Sequence, residues 1–148
     1  MSSHVFHEIY LHFNWHVKED RQILTAELEP VVHDFIIKRC RKTKGVYFHG
    51  IGGTETHIHL AVNIEPHVRI SDLIQDLKGG SSHDTNQAKG SSVLSWQRGY
   101  GVVSFGRNNL DWVLKYIARQ KQHHAAGTAQ DRLERPTDYE DETPPDYV

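Results

Sequence analysis

Cysteine is nearly absent from this 148-residue chain, and so is any long apolar run. The single cysteine, Cys40, has no partner for an intramolecular disulfide. Its place in an apolar helical pattern predicts an ordinary buried thiol in a reducing compartment. The opening MSSHVFHEIYLHFNWH has neither a basic start nor an unbroken apolar stretch, so no signal peptide is expected, and nothing downstream reaches membrane-spanning length. A soluble, cytoplasmic protein is the expectation. No phosphate-binding loop of the G-x-x-x-x-G-K-[ST] kind occurs, which fits chemistry that does not use nucleotides. Excess positive charge is missing too, the net being −2, but the deficit is local. From Asp131 onward seven acidic residues stand against Arg132 and Arg135, so the first 130 residues are net positive by three. A mildly basic body with an acidic end is compatible with DNA binding without demanding it.

What the chain has in quantity is histidine, twelve residues, which raises the question of metal ligands. The length suits one compact domain. From Val5 to Val17 every odd position except His7 is apolar, which is strand periodicity with one buried face. Thr25 as a candidate N-cap and Pro30 in the first turn introduce a helix carrying Val32, Phe35, Ile36 and Cys40 at helical spacing and ending near Lys42. Its cationic last turn, KRCRKTK, suits the helix dipole and could equally meet phosphate. Two strands follow, Gly45 to Ile51 and Thr56 to Ile64, joined by a hairpin-like turn. A helix with Ser71 near its start carries Ile70, Leu73, Ile74 and Leu77, and GGSSHDTNQAKGSS after it reads as a loop by composition.

Leu94 to Trp96 and Tyr100 to Phe105 read as short strands around Gly99. Asn108 or Asn109 then caps a final helix with Leu110, Val113, Leu114 and Ile117 on its core stripe. The domain is expected to span residues 1–126, and 127–148 to form an acidic, poorly ordered tail. The fold class is α+β: an antiparallel sheet of about four or five strands with helices packed on one face.

Two segments carry chemistry. In THIHLAVNI, side chains two apart share a face, so Ile58, Leu60, Val62 and Ile64 point one way and His57, His59, Ala61 and Asn63 the other. Two imidazoles at this spacing can reach one cation, although taken alone histidines on an exposed sheet face are more often plain surface residues. In LDWVLKYIARQKQHH, Tyr116 and Gln120 sit one turn apart, roughly a right angle from the core stripe. Taken alone, Tyr116 also fits a boundary aromatic packing its ring.

Together, an HxH pair on a strand, LKGGSS after a short helix, then WQRGYGVVSF and YIARQKQHH resemble the single-tyrosine HUH transposases of the insertion-sequence 200/605 type and their REP-associated relatives. The likeness runs from about Val5 to His124, with the motifs in the expected order. It implies a ferredoxin-like, RRM-like HUH fold. His57 and His59 would be the two HUH histidines, Tyr116 the nucleophile, and Gln120 a third metal-site residue for Mg²⁺ or Mn²⁺. It implies cleavage and rejoining of single-stranded DNA through a 5′-phosphotyrosine, with hairpin-containing ends as substrate. Many relatives carry an aspartate before the first histidine, where this chain has Thr56, which alters the support of His57 without removing a ligand. The proton acceptor for Tyr116 stays open among a metal-bound water, His123 and His124.

For DNA contacts, Lys38, Arg39, Arg41, Lys42, Lys78, Arg98 and Trp96 are candidates, each of which also reads as a solubility charge or a packed aromatic. Insertion-sequence relatives work as homodimers, some with the tyrosine serving the partner's histidines, whereas REP-associated ones can be monomeric. A non-catalytic hairpin-binding descendant is the main rival, opposed by the joint presence of His57, His59, Tyr116 and Gln120. A histidine-triad hydrolase would want histidine where Ala61 stands, and a structural zinc site would want ligands beside Cys40.

Overall fold

The computed structural model describes residues 4–136. Along the chain run β1 (Ile9–His16), α1 (Glu29–Lys42), β2 (Val46–Gly53), β3 (His57–Ile64), α2 (Ile70–Lys89), β4 (Gly101–Phe105), α3 (Leu110–Ala118), α4 (Gln120–Ala126) and α5 (Asp131–Glu134). The strands form one antiparallel sheet in the order β2-β3-β1-β4. A βαββαβ chain with β3 lying antiparallel between β1 and β2 is the ferredoxin-like arrangement. Among the described residues, no helix is long and apolar enough to cross a membrane.

Alternation along the strands divides the molecule into two faces. Leu11, Phe13 and Trp15 of β1 join Ile58, Leu60, Val62 and Ile64 of β3 against Val32, Ile36 and Cys40 of α1 and Leu73, Ile74 and Leu77 of α2. Each large side chain buried this way contributes roughly 1.5–3 kcal/mol. Burial pushes the Cys40 thiol up to about 12, so it is an inert packing group, as its sequence context predicted.

The opposite face is covered as well. On it α3 rests through Val113 and Ile117 against the buried Ala61, with Phe105 and Leu114 around them. The seat is flat because little protrudes from it: a Cβ on Gly52 would overlap the Ile117 carbonyl, and one on Gly50 would stand 2.7 Å from Leu114 Cδ2. Helices therefore pack on both sides of the sheet, beyond the one layer expected.

Three local expectations change. Most of the segment read as a loop after Leu77 is helix, α2 running 20 residues in all from Ile70 to Lys89 and ending at Gly90 in the left-handed region. Its second half buries Ser81 and Thr85, and Gly80 lies under the Arg39 guanidinium, where a Cβ would collide. The small residues are what permit that close approach of α1. Leu94–Trp96 is no strand but a single bridge between Trp96 and Val17. Thr25 precedes α1 by a turn, accepting the Glu29 N–H through its carbonyl, with Pro30 in the first helical turn as expected.

The chain also stays ordered past residue 127. Gly127 ends α4 in the left-handed region, and α5 then folds back onto β1 and β4. Asn14 Nδ2 donates to the carbonyls of Leu133 and Arg135, each at 3.1 Å, and Leu133 is buried. Gly101 leaves room for this, since a Cβ there would overlap the Arg135 carbonyl. The tail expected from 127 is thus packed as far as this helix; residues 137–148 lie outside the described ones.

Candidate active site

The histidines of β3 sit where alternation puts them, on the face that α3, α4 and α5 cover. Both are buried, His57 at 3 % exposure and His59 at 0 %. His57 Nδ1 lies 2.9 Å from Thr54 Oγ1 and 3.0 Å from Thr56 Oγ1, so its Nε2 faces the site. The ring of His16, directly opposite in β1, stacks on it with centroids 4.7 Å apart. His59 Nδ1 shares a 2.8 Å hydrogen bond with His12 Nε2, so its Nε2 also faces the site. Threonine hydroxyls and a histidine thus orient these rings where carboxylates commonly do. Burial pushes His12 down to about 3 and His59 down to about 4, which leaves both neutral at neutral pH and able to offer lone pairs.

Tyr116, on α3, meets these rings edge-on, 6.0 Å from His59 between centroids. Its ring stacks with the exposed Trp112, one turn earlier, at 5.5 Å, and with His123 at 4.6 Å. The hydroxyl donates to Glu134 Oε2 and accepts the Gln130 N–H at 2.8 Å. Burial and the Glu134 carboxylate raise the phenol to about 12. A break at Arg119 separates α3 from α4, and Gln120 begins α4 fully buried. Its Oε1 lies 3.1 Å from His124 Nε2, and its Nε2 reaches the Tyr116 carbonyl at 3.5 Å.

The residue that sequence reasoning missed is Glu134. Its Oε1 lies 3.1 Å from His59 Nε2, 3.2 Å from His124 Nε2 and 3.3 Å from His57 Nε2. Burial alone would raise this carboxyl, but His57, His59 and the Tyr116 hydroxyl beside it hold it well below the usual carboxylate range. The acidic composition around Glu134 hid it; the one local signal was Leu133, a lone apolar anchor. His124, expected only as a proton acceptor, belongs to the same cluster. One donor atom from each of His57, His59, His124 and Glu134 lies within 4.8 Å of the others. Moreover, His57 Nε2 is buried and makes no hydrogen bond. A divalent cation fits such a set of imidazoles and one carboxylate.

The basic candidates scatter. Arg39 is committed to Asp84, at 2.9 and 3.2 Å, and to Asp76 at 3.1 Å, and the Asp84 hydrogen bond raises its pKa. Lys78 donates to the carbonyls of Gln97 and Gly99, both at 2.8 Å, and burial lowers it to about 8. Trp96 packs edge-on against Trp15 and donates to Ser81 Oγ. Lys38 pairs with Asp34 at 2.9 Å, Arg41 lies over the Phe48 ring, and Lys42 and Arg98 are exposed. The four on α1 lie across the sheet from the histidines.

Comparison with known proteins bears on the family and the fold. Residues 5–120 match the family model described as "Transposase IS200 like". A putative transposase from Deinococcus radiodurans R1 superposes with a TM-score of 0.65 at 19 % identity, covering 81 % of this chain and 96 % of that one. A REP-associated tyrosine transposase bound to a REP hairpin superposes with a TM-score of 0.58 at 16 % identity, covering 92 % of this chain and 81 % of that one. At these identities the two structures speak for the fold. No curated protein sequence matches significantly. The family match spans most of the chain, a stretch that includes His57, His59, Tyr116 and Gln120, and on that ground the protein belongs to the IS200-like transposases.

Proposed function

We propose that this transposase cuts and rejoins single-stranded DNA through a 5′-phosphotyrosine at Tyr116, with His57, His59 and Gln120 at a divalent cation, Mg²⁺ or Mn²⁺. The observation that carries the reading is the Glu134 carboxylate, one oxygen of which sits among the imidazoles while the other takes the Tyr116 hydroxyl proton in a hydrogen bond. A small two-oxygen anion thus spans the distance from the imidazoles to the Tyr116 hydroxyl. A phosphodiester has two non-bridging oxygens and the same charge, and it fits that span once Glu134 withdraws.

When bound, the cation would offset phosphate charge and polarise a non-bridging oxygen. Tyr116 Oη bonds to phosphorus and the bond from phosphorus to the 3′ oxygen breaks. The phenol gives up its proton and the departing oxygen gains one, leaving a free 3′-hydroxyl. That hydroxyl, or another strand's, reverses the step by attacking the phosphotyrosine, so no nucleotide is consumed. With Glu134 in place the phenol stays protonated, its pKa raised to about 12, and chemistry requires residues 130–134 to move aside. The exposed face of Trp112 beside Tyr116 suits stacking of an unpaired base. Hairpin recognition is part of the same proposal, supported by the likeness to the REP-hairpin complex.

Incubating the protein with hairpin-bearing single strands and Mg²⁺, Mn²⁺ or EDTA tests this. The expected result is a metal-dependent covalent adduct that vanishes in Tyr116→Phe. An adduct persisting in that variant would place the nucleophile elsewhere. Hairpin binding without any adduct would favour the non-catalytic descendant, a reading that the burial of Tyr116 keeps in play.

A further inference from the structure

We infer that His124 and Glu134 join His57 and His59 as donors of the same centre, with Gln120 Oε1 beside His124 Nε2 at its edge, and that this nitrogen-rich set selects a borderline transition ion, of the manganese-to-zinc class, over Mg²⁺. This deepens the strand-transfer reading and rests on it only in assuming a metal at the HUH pair. Two of the four donors lie beyond residues 5–120, the stretch that the family model matches, so this chain supplies half of the centre from its own C-terminal segment.

Three features lead there. Three Nε2 atoms converge on a single carboxylate oxygen at 3.1–3.3 Å, the layout of a cage whose donors face inward. Next, the hydroxyls of Thr54 and Thr56 occupy His57 Nδ1 and leave its buried Nε2 aimed at the carboxylate with no hydrogen bond. A cation between them turns that orphaned lone pair into a bond. Finally, α5 presents Glu134 to the imidazoles by specific contacts, since Asn14 donates to the carbonyls on either side of Glu134 and Leu133 is buried beside it.

The donor chemistry decides the ion. Mg²⁺ prefers six oxygens in a near-octahedral shell and keeps several waters. Three imidazoles with one carboxylate suit manganese, cobalt, nickel or zinc far better. Glu134 is then the exchangeable ligand. It is the one donor on a four-residue helix, the others standing on β3 and α4, so a phosphate oxygen replaces it without dismantling the cage.

The test uses the metal-stripped full-length chain titrated with Co²⁺ alone and followed by visible absorption. Zn²⁺ and Mg²⁺ serve as competitors, and circular dichroism checks the fold of each variant. Wild type should give the intense bands of a low-coordinate nitrogen-rich site, erased by Zn²⁺ and untouched by excess Mg²⁺. Glu134→Gln and His124→Asn should each weaken Co²⁺ by at least about tenfold and alter the spectrum. Wild-type affinity and spectrum in both variants would overturn the inference, as would Mg²⁺ competing on equal terms or no Co²⁺ binding at all. A chain that forms the Tyr116 adduct while its Co²⁺ centre ignores Glu134 and His124 would sink this inference alone. A centre behaving as described with no adduct would sink only the strand-transfer reading.

Discussion

His12 and His59 show how burial tunes a single side chain. Both imidazoles titrate at 6.5 when exposed, and burial takes them to about 3 and about 4 in the fold. Between those values and 6.5 the unfolded chain binds protons that the folded chain refuses. Stability is therefore complete above 6.5 and falls as pH drops through that window, by up to about 1.4 kcal/mol per pH unit for each ring. His16 and His33 are lowered in the same direction, also by burial, and share the slope. The lowered Glu134 carboxyl adds its loss only below its ordinary value of 4.5. The urea midpoint of the metal-free protein should thus fall from about pH 7 to about pH 5, and fall less steeply in His12→Phe. A midpoint that is flat over this interval would mean the rings are charged within the fold. The histidine alternation itself was legible in the sequence, because a period of two leaves no choice of face. The His12–His59 bond was not, because it joins strands whose register one chain does not display.

At the scale of elements, α5 and Gly101 form a lock. The Arg135 carbonyl lies where a Cβ of residue 101 would stand, and Asn14 Nδ2 is 2.6 Å from the same point. Gly101→Ala must therefore displace something, and the four-residue helix is the weaker party. The expected cost is about 1–3 kcal/mol, with faster protease cleavage across residues 127–136 and faster Tyr116 adduct formation. Unchanged cleavage kinetics and an unchanged unfolding midpoint would show that α5 is not held this way. The same helix explains the largest misreading. Composition marked 131–134 as tail because three of its four residues are charged, yet Leu133 anchors it and Glu134 turns inward. In α2 the error ran the same way: glycine and serine suggested a loop where close packing against Arg39 and Trp96 needed small side chains in a helix.

For the whole molecule, the proposed nucleophile and the β3 histidines meet within one chain: Tyr116 and His59 approach each other and share Glu134. A mixture of Tyr116→Phe with His57→Ala should consequently form no adduct. Recovery of the adduct on mixing would mean that a partner's tyrosine serves these histidines. The ferredoxin-like order was readable because each strand and long helix carried its own period. The second helical layer was not, since its seat consists of residues with almost nothing to show. Gly50, Gly52 and Ala61 act as shims between α3 and the sheet. Their thinness sets the clearance between phenol and imidazoles, so an added methyl group there would lift the tyrosine out of reach without altering any reacting atom.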